Sequence, residues 1–434
     1  MKVFQTKDDK HLYRLDGADK KFLYKQEAIK DISFDNTETT PVMDAKGDLA
    51  AYIDSIYACT LDDDGNETRI LATPSDPIIN SQYTDGSEGQ CMVKFPRLWY
   101  KYDLDIDGNI QGMFIAGYAK AGYTLHPSFS WGDGRKYLYI GMYEGSGATK
   151  LQSISGIVPV TNITIATSRS RAIARKDGAT QNDSNWHIMG FWQQHLIDML
   201  FYAYFETRDS QGALPGYTEE SGWDTAKIRN TGRSNILTTM NGSVDAQLEA
   251  GEDDEDLTNL SAGDKIANRF LFIENIFGHI WKFNDGTCYV PEFDFDAITE
   301  TLEDNGNMWN AGWGKDLQAV YHTPDIRLFS SDPTDIRDNY EKLNVVPISV
   351  AATASIAKAG RGFVPTIEGG TDTQNWCARF YSYLSTTDRP YLRVVRAGGN
   401  LNIGASAGVA CRCAAVDLSV SAANIGARLC YSKI

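Results

Sequence analysis

Helical periodicity is confined to one segment of this sequence. Between Trp186 and Glu206 apolar side chains recur at close to a 3.6-residue spacing, with His195 and Asp198 predicted on the opposite, polar side. Elsewhere, short apolar runs alternate with clusters of Gly, Asn, Asp and Ser, which is typical of strands joined by turns. Strands, one helix at about 187–206, a loop-rich region and terminal strands predict an α+β fold with a heavily looped antiparallel sheet.

The polar, glycine-bearing stretch at 84–89 divides the chain into two predicted parts. Residues 1–89 alternate short apolar runs with turns, including a strand predicted over 51–60, and predict a small β-rich N-terminal module. Residues 90–434 are predicted to form one larger domain, in which 157–165 is a strand and about 208–267 a polar surface insertion. The acidic run 251–256 within that insertion is interpreted as a solvated surface rather than a cation site.

Charge and hydropathy exclude two classes of partner. Forty-one basic against 57 acidic residues leave a net charge of -16, which would repel a phosphate backbone, so nucleic acid binding is not expected. No stretch approaches the roughly 18 consecutive apolar residues of a membrane span, so membrane insertion is not expected either. The first residues lack the apolar stretch of a secretory signal peptide, which predicts no export by that route if this is the native start.

Motifs for metal binding and catalysis are incomplete or missing from the sequence. Residues 103–109 copy the front half of a calcium loop, but Phe114 occupies the position that needs a bidentate carboxylate. A hairpin turn with Asp-Gly is therefore the better interpretation. The six histidines show no metal-binding spacing, and no GxSxG, GxGxxG or GK[ST] motif occurs. We predict no metal, no cofactor and no enzymatic activity.

The window 400–427, near the C-terminal end of the sequence, contains no Lys, Glu, Gln, Met or Trp. These five types make up roughly a sixth of the chain, so their chance absence over this span is on the order of one in a hundred. Small residues fill the window instead, between the strand-like segments 391–396 and 425–431. Two interpretations remain open: a variable binding surface, or a small-residue loop that is tightly packed.

Five segments resemble, in order, landmarks of the formylglycine-generating-enzyme type of C-type lectin fold. They are residues 137–144, the helix that begins at Trp186, and residues 274–283, 395–399 and 424–428. The resemblance covers about residues 90–434 and implies a C-type-lectin-like domain after the N-terminal module. Within this fold the chain looks most like tail-associated receptor-binding proteins of phages, particularly the variable proteins that retroelements diversify. Segments 91–100 and 169–172 also resemble phage and prophage relatives.

In that family, randomised adenines in AAC-type codons can produce many residue types but not Lys, Glu, Gln, Met or Trp, the five that the window lacks. The resemblance implies a non-enzymatic phage-tail protein that binds a host cell-surface protein or glycan through the window. The N-terminal module would attach to other virion or tail proteins, and a homo-oligomer is compatible with this role. The expected location is the virion, after production in the cytoplasm.

Alignment with the family's variable positions implies a set of contact residues. Arg412 is the expected anchor among them, because a planar guanidinium can fork onto carboxylates or stack on rings. The expected contact residues are Asn400, Leu401, Asn402, Ile403, Ser406, Ala410, Arg412, Ala414, Asp417, Leu418 and Ser419.

The same alignment argues against the enzymatic activity of the family. Its two metal-binding catalytic cysteines align with Ile403 and Gly408, and neither residue can ligate copper or act as a thiol nucleophile. Two alternatives to the phage protein remain: a bacterial surface adhesin of the same fold, and a divergent enzyme with Cys411 as nucleophile. Trp281, in a strand-like run, is predicted to fill the core rather than to bind a ligand.

Overall fold

A computed structural model gives the architecture of the chain, and it describes only part of the residues. Within 3–25 and 319–382 the description is limited to strand backbones. The described residues are 3–5, 11–16, 19–25, 48–104, 110–130, 135–179, 184–207, 209–219, 227–245, 265–290, 319–322, 325–329, 340–344, 354–359, 365–368, 379–382 and 393–433.

The protein is α+β, rich in sheet, with few and mostly short helices. The helices are α1 (Asp48–Ile53), α2 (Pro127–Ser130), α3 (Ile165–Ile173), α4 (Phe191–Phe205) and α5 (Ser210–Ala213), with 3₁₀ turns at Ser81–Tyr83, Arg233–Ile236 and Gly404–Ser406. The strands are β1 (Val3–Gln5), β2 (His11–Asp16), β3 (Asp19–Lys25), β4 (Tyr57–Leu61), β5 (Glu67–Ala72), β6 (Gln90–Pro96), β7 (Trp99–Leu104), β8 (Ile110–Ala116), β9 (Thr124–Leu125), β10 (Tyr137–Gly141), β11 (Trp186–Ile188), β12 (Gly242–Asp245), β13 (Lys265–Phe270), β14 (Ile273–Glu274), β15 (Trp281–Val290), β16 (Ala319–His322), β17 (Asp325–Phe329), β18 (Tyr340–Asn344), β19 (Ala354–Ala359), β20 (Pro365–Glu368), β21 (Arg379–Ser382), β22 (Arg393–Ala397), β23 (Arg412–Asp417), β24 (Ile425–Gly426) and β25 (Leu429–Lys433).

A six-stranded antiparallel sheet joins distant parts of the sequence in the order β11-β25-β10-β6-β4-β5. The strand β25 lies between β11 and β10, and β6 follows on the other side of β10. The two ends of the predicted domain, at about 90 and 432, therefore meet in one sheet. Strands β6 and β25, from segments 91–100 and 425–432, thus lie in the same sheet.

The predicted domain boundary between residues 89 and 90 is wrong. Strand β4 pairs with β6 from Tyr57↔Lys94 to Leu61↔Gln90, so β4 and β5 belong to the six-stranded sheet. The polar stretch 84–89 contains a turn, in which the Gly89 amide donates to the Gly86 carbonyl. It belongs to this domain, since the Thr84 carbonyl accepts a hydrogen bond from the Ser155 amide. A turn between paired strands has the same composition as a linker, which is why the two were confused. Strands β1, β2 and β3 form a separate three-stranded sheet.

Helix α4 is the centre of the main core, and it is buried on every side. Its residues from Phe191 to Ala203 are all buried, and they pack with Val93, Leu138, Ile140 and Cys430 of the six-stranded sheet. The predicted polar side is wrong, because His195 and Asp198 are both 0% exposed. The helix also begins later than predicted: 186–188 is strand β11, which pairs with β25, and Gly190 is the N-cap.

Two strand predictions are wrong at least in part: residues 157–164 form no strand and lead into a helix at Ile165, and the strand predicted over 51–60 begins only at Tyr57. Residues 165–173 form α3, which Thr164 caps by accepting a hydrogen bond from the Thr167 amide at 3.1 Å. Residues 48–53 form α1, so the strand predicted over 51–60 is confined to β4. In both places β-branched and apolar residues suggested strands, but capping and tertiary packing decided the local structure.

In the region 208–267, predicted as a polar surface insertion, the described residues 209–219, 227–245 and 265–267 include buried positions. Tyr217, Ser234 and Val244 are 0% exposed, and β12 pairs with β13. Polar side chains can be buried here because hydrogen-bond partners within the protein replace water. For example, the Ser234 amide and hydroxyl both donate to the Glu274 carboxylate at 2.7 Å. The acidic run 251–256 lies outside the described residues. So do 105–109, although β7 and β8 pair as the hairpin predicted there.

A second, ten-stranded sheet carries the window. Its order is β18-β17-β16-β15-β22-β23-β21-β19-β20, and β24 pairs with β15 in parallel. The two further sheets, β12-β13-β14 and β8-β7-β9, each have three strands. Among the helices that the structure describes, none is long and apolar enough to cross a membrane.

Candidate ligand-binding surface

The window begins at a sharp turn that only glycine can make. Gly398 and Gly399 follow β22 with φ of +88° and +82°. A Cβ atom at Gly398 would lie 3.2 Å from the Cα of Phe277, and one at Gly399 would lie 2.6 Å from Cδ1 of Ile403. The turn therefore needs both the left-handed conformation and the missing side chain. It sends residues 400–411 back across the end of the core.

Hydrogen bonds from a distant part of the chain fix the backbone of this loop. The Gln211 side chain, in α5, donates to the carbonyls of Gly404 at 2.8 Å and Ala407 at 3.1 Å. The Gly404 amide donates in turn to the Thr218 carbonyl at 2.9 Å. Three backbone groups of the loop are thus satisfied by residues 211–218, so the loop has a defined shape.

Arg412 connects the window to helix α4 through a buried ion pair. Its Nη2 lies 2.6 Å from Oδ2 of Asp198, and the two side chains are 4% and 0% exposed. Gln194 donates to the other carboxylate oxygen at 2.8 Å and to the Val409 carbonyl at 3.2 Å. Burial raises the pKa of Asp198 to about 6, although Arg412 and Gln194 act against that rise. The expectation that Arg412 is a surface anchor is wrong, because its guanidinium is engaged inside the protein.

The expected contact residues divide by exposure. Those exposed to solvent are Asn402 and Ser419, and those half-buried are Ile403 and Leu418. Those buried are Asn400, Leu401, Ser406, Ala410, Arg412 and Ala414, between 0% and 8% exposed. The side chain of Asp417 lies outside the description, and its backbone pairs with Arg393. In this conformation the six buried residues do not offer their side chains to a macromolecular ligand, which corrects that part of the expectation.

Burial explains much of the unusual composition of the window. About half of residues 400–427 are buried, and close approaches leave little room there. A Cβ atom at Gly426, for example, would lie 2.8 Å from the Val160 carbonyl oxygen. Lysine, glutamate and the large side chains do not fit such positions. Packing does not explain their absence from the solvent-facing parts, residues 402–405 and 418–421, which we call the exposed face.

Sequence reasoning missed several residues of this region. Ala405 and Ser421 are exposed within the window, and Glu219 is exposed beside it. The Glu219 carboxylate lies next to Gly404, since a Cβ atom there would be 3.7 Å from either carboxylate oxygen. No local signal marks Glu219, because it lies far from the window in the sequence and only folding brings the two together.

A buried polar cluster supports the sheet beneath the window. The Glu144 carboxylate accepts a hydrogen bond from Nδ1 of His279 and lies 3.0 Å from Nζ of Lys282. Burial would raise the pKa of Glu144, yet the neighbouring His279 and Lys282 lower it to about 2. Arg428 donates to the carbonyls of Gly141, at 2.9 Å, and of Glu274, at 2.6 Å. The cluster ties together three parts of the chain that are far apart in the sequence.

Trp281 fills the core next to this cluster, as the sequence predicted. It is 7% exposed and packs with Val394, Cys411 and Ile425. The guanidinium of Arg396 lies 4.9 Å from the centre of its indole ring, within the range of a cation–π contact. The indole therefore has a structural role.

Within the described ranges, no group of three or more His, Cys, Asp or Glu side chains is arranged to hold a metal ion. Comparison of the sequence with protein-family models and with curated proteins gave no match.

Proposed function

We propose that this chain is a non-enzymatic host-recognition protein of a phage or prophage tail. In this proposal a C-type-lectin-like domain of the formylglycine-generating-enzyme type binds a host cell-surface protein or glycan through the exposed face. The observation that carries the proposal is a contrast within the window. Gln211 holds its backbone and Asp198 holds its buried half, whereas its exposed residues Asn402, Ala405, Ser419 and Ser421 have small, neutral side chains. Such positions can change with little effect on stability, as a variable binding surface requires.

The contacts among the resembling segments support the lectin-like part of the proposal. Glu144 belongs to the first of the five segments, His279 and Lys282 to the third, and Arg428 to the fifth. These side chains meet in one buried cluster, so the resemblance concerns residues that hold one domain together. Buried charges of this kind need specific partners, which makes an accidental match of all the segments harder to explain.

The proposed attachment to other virion or tail proteins is assigned to residues 1–47. This range is shorter than the N-terminal module of the sequence analysis, because β4 and β5 belong to the six-stranded sheet. Strands β1, β2 and β3 pair only with one another among the described strands. A small sheet of this kind can contact a partner without disturbing the binding domain.

Diversification by a retroelement is proposed for the exposed face alone. A codon for Asn402 or Ser419 can change freely, whereas a bulky or charged residue at Ala410 or Ala414 would disrupt the packing. Sequencing the neighbouring DNA tests this part of the proposal. A reverse transcriptase gene and a near-copy of codons 400–427 are expected, with the differences concentrated at solvent-facing positions.

The structure argues against the enzyme alternative, but it does not separate the adhesin alternative from the tail protein. A cysteine-dependent enzyme is disfavoured because Cys411 is 1% exposed, so a substrate cannot reach its sulfur. A bacterial adhesin would use the same exposed face, and only the location of the protein separates it from a tail protein. Immunogold labelling of purified particles makes that distinction: labelled virions support the tail protein, and labelled cell envelopes support the adhesin.

The binding test compares two triple variants with the same added charge. Asn402→Arg, Ala405→Arg and Ser419→Arg are combined in the first, and Asn80→Arg, Ala166→Arg and Ser170→Arg in the second. All six positions are exposed, but only the first set lies on the exposed face. Fluorescently labelled protein is incubated with intact cells of a panel of bacterial strains, and the signal retained per cell is measured.

We expect the first variant to lose at least about tenfold in retained signal on the strains that bind the parent protein, because large cations block the contact surface. The second variant is expected to bind like the parent. Equal binding by both variants would place recognition elsewhere in the chain, and so would a parent whose binding maps to residues 1–47.

A further inference from the structure

Two buried histidines, His126 and His195, are in contact inside the main core. His126 immediately precedes α2, and His195 lies in the second turn of α4. Both are 0% exposed. Nε2 of His126 lies 2.8 Å from Nδ1 of His195, and the ring centres are 5.1 Å apart. The pair thus joins α2 to the helix that holds the window.

The hydrogen bonds around the pair assign one proton position to each ring. The Ser128 amide, which can only donate, lies 3.2 Å from Nδ1 of His126, so this nitrogen accepts. The proton of His126 is then on Nε2 and is donated to Nδ1 of His195. The proton of His195 is consequently on Nε2, which lies 3.1 Å from the hydroxyl oxygen of Tyr102. Both rings are neutral in this chain of hydrogen bonds.

An additional proton on either ring would break the chain. On His126 it would occupy Nδ1 and point at the amide hydrogen of Ser128. On His195 it would occupy Nδ1, so that two N–H groups would face each other across 2.8 Å. The rings of Tyr100, Phe129 and Trp192 pack against the pair. Burial, followed by the adjacent His195, holds the pKa of His126 well below its ordinary value.

Charged groups on the elements that pack around the pair are already bound to other partners. Tyr100 and Tyr102 of β7 are titratable side chains that face the pair. Asp198 of α4 binds Arg412. In β15, Lys282 binds Glu144 and Asp285 binds Arg169. Tyr139 of β10 donates a hydrogen bond to Glu67. Asp198, whose pKa of about 6 lies in the same range, acts on the window directly through Arg412, so an acid response that comes from the pair must depend on His126.

Helix α4 connects this pair to the window over less than two turns. Gln194, next to His195, donates to the Val409 carbonyl, and Asp198 pairs with Arg412. These two contacts of the window thus depend on the position of the helix segment that carries His195, whereas the contacts from Gln211 and Thr218 do not. A disturbance of that segment reaches residues 400–411 without passing through any other element.

We propose that the His126–His195 pair is an acid-sensitive latch for the window. When either ring gains a proton, the hydrogen-bond chain from Ser128 to Tyr102 breaks and the first half of α4 loosens. The contacts at Val409 and Arg412 are then released and the window loosens around them, while Gln211 and Thr218 still hold Gly404. The consequence for ligand binding rests on the proposed function, whereas the release of residues 400–411 is a property of the fold alone.

Hydrogen exchange of the intact protein, read by mass spectrometry, tests the latch. Peptides covering 400–411 are followed at about pH 7.5 and about pH 5.0, with rates corrected for the intrinsic effect of pH. The variant His126→Gln keeps a side-chain amide at the pair that cannot become charged. The matched control is His187→Gln, which removes another buried histidine, in β11, whose Nε2 lies 2.7 Å from the Ser432 hydroxyl.

In the parent protein and in His187→Gln, corrected exchange of 400–411 is expected to be at least about tenfold faster at the lower pH. In His126→Gln the increase is expected to stay below about threefold. The latch is overturned if His126→Gln responds to acid as strongly as the parent, or if the parent shows no response. It is also overturned if His187→Gln loses the response, because general burial of histidine would then be the cause.

A second variant and a second measurement keep the outcome interpretable. If His126→Gln is not folded at neutral pH, His195→Gln is judged by the same criterion. Retention of labelled protein on intact bacterial cells is measured at both pH values in parallel. If no strain retains the parent protein at either pH, the proposed function fails, and the exchange rates still decide whether the latch exists.

Discussion

The guanidinium of Arg412 and the carboxylate of Asp198 form a buried ion pair, with 2.6 Å between Nη2 and Oδ2, that fastens the window to the middle of α4. Water cannot take the place of either partner, since both side chains are almost completely buried. The residue expected to contact a ligand therefore positions the loop from below. On the exposed face above it, Asn402, Ala405, Ser419 and Ser421 are exposed to solvent, whereas Ile403, Leu418 and Val420 pack partly against the core.

The first prediction concerns removal of the negative charge from this pair. Asp198→Asn has nearly the same shape but leaves the guanidinium of Arg412 buried without a counter-charge. We expect a loss of about 3 to 5 kcal/mol in the free energy of unfolding, measured by urea denaturation at neutral pH. The control Asp177→Asn removes a carboxylate whose side chain is 92% exposed, and it should change stability by no more than about 0.5 kcal/mol. Equal effects of the two substitutions would contradict the structural role of the pair.

The second prediction separates the two sides of the window with one residue type. Ala410→Leu adds a large side chain at a position that is 0% exposed, so overpacking should lower the free energy of unfolding by about 1 to 3 kcal/mol. Asn402→Leu adds an apolar side chain at an exposed position and should stay within about 0.5 kcal/mol of the parent. Thermal denaturation followed by circular dichroism compares the two variants. A larger loss at Asn402 than at Ala410 would mean that the exposed face is part of the core.

The sequence predicted the elements whose signals are local. The apolar spacing after Trp186 predicted α4, because this pattern reflects contacts within one element. The same pattern could not show whether His195 and Asp198 of α4 are buried or exposed to solvent. A buried aspartate and a solvated one look the same in a periodicity plot, and the partner of Asp198 lies in the last strands of the chain.

The same limit applies to the candidate site. Residue types marked the window as unusual, but they did not distinguish small residues at a variable surface from small residues in a packed core. The structure contains both, with Asn402 on one side and Ala410 on the other. Glu219 and Gln211 were missed because tertiary contacts place them beside Gly404, and no local pattern reports such contacts.

The third prediction concerns the indole under the window. Trp281→Ala removes a side chain that is 7% exposed and packs against Val394 and Ile425. We expect a loss of roughly 3 to 5 kcal/mol in the free energy of unfolding, because a large cavity replaces the ring. Ile236→Ala, at a side chain that is 54% exposed, is the control and should change stability by about 0.5 kcal/mol or less. An unchanged melting temperature in Trp281→Ala would show that the indole is not needed by the fold.

The last prediction uses the low pKa of Glu144, which is about 2 in the folded protein against about 4.3 in an unfolded chain. Because the folded value is lower, this carboxylate stabilises the fold above about pH 4.3 and loses that contribution as pH falls towards 2. Glu144→Gln should destabilise the protein by about 3 to 5 kcal/mol at neutral pH, since Lys282 is left unpaired. In urea denaturation the difference from the parent should narrow by about 1 kcal/mol at about pH 3.5. The exposed Glu219→Gln is the control. A difference that widens with acid would contradict the assigned charge of Glu144.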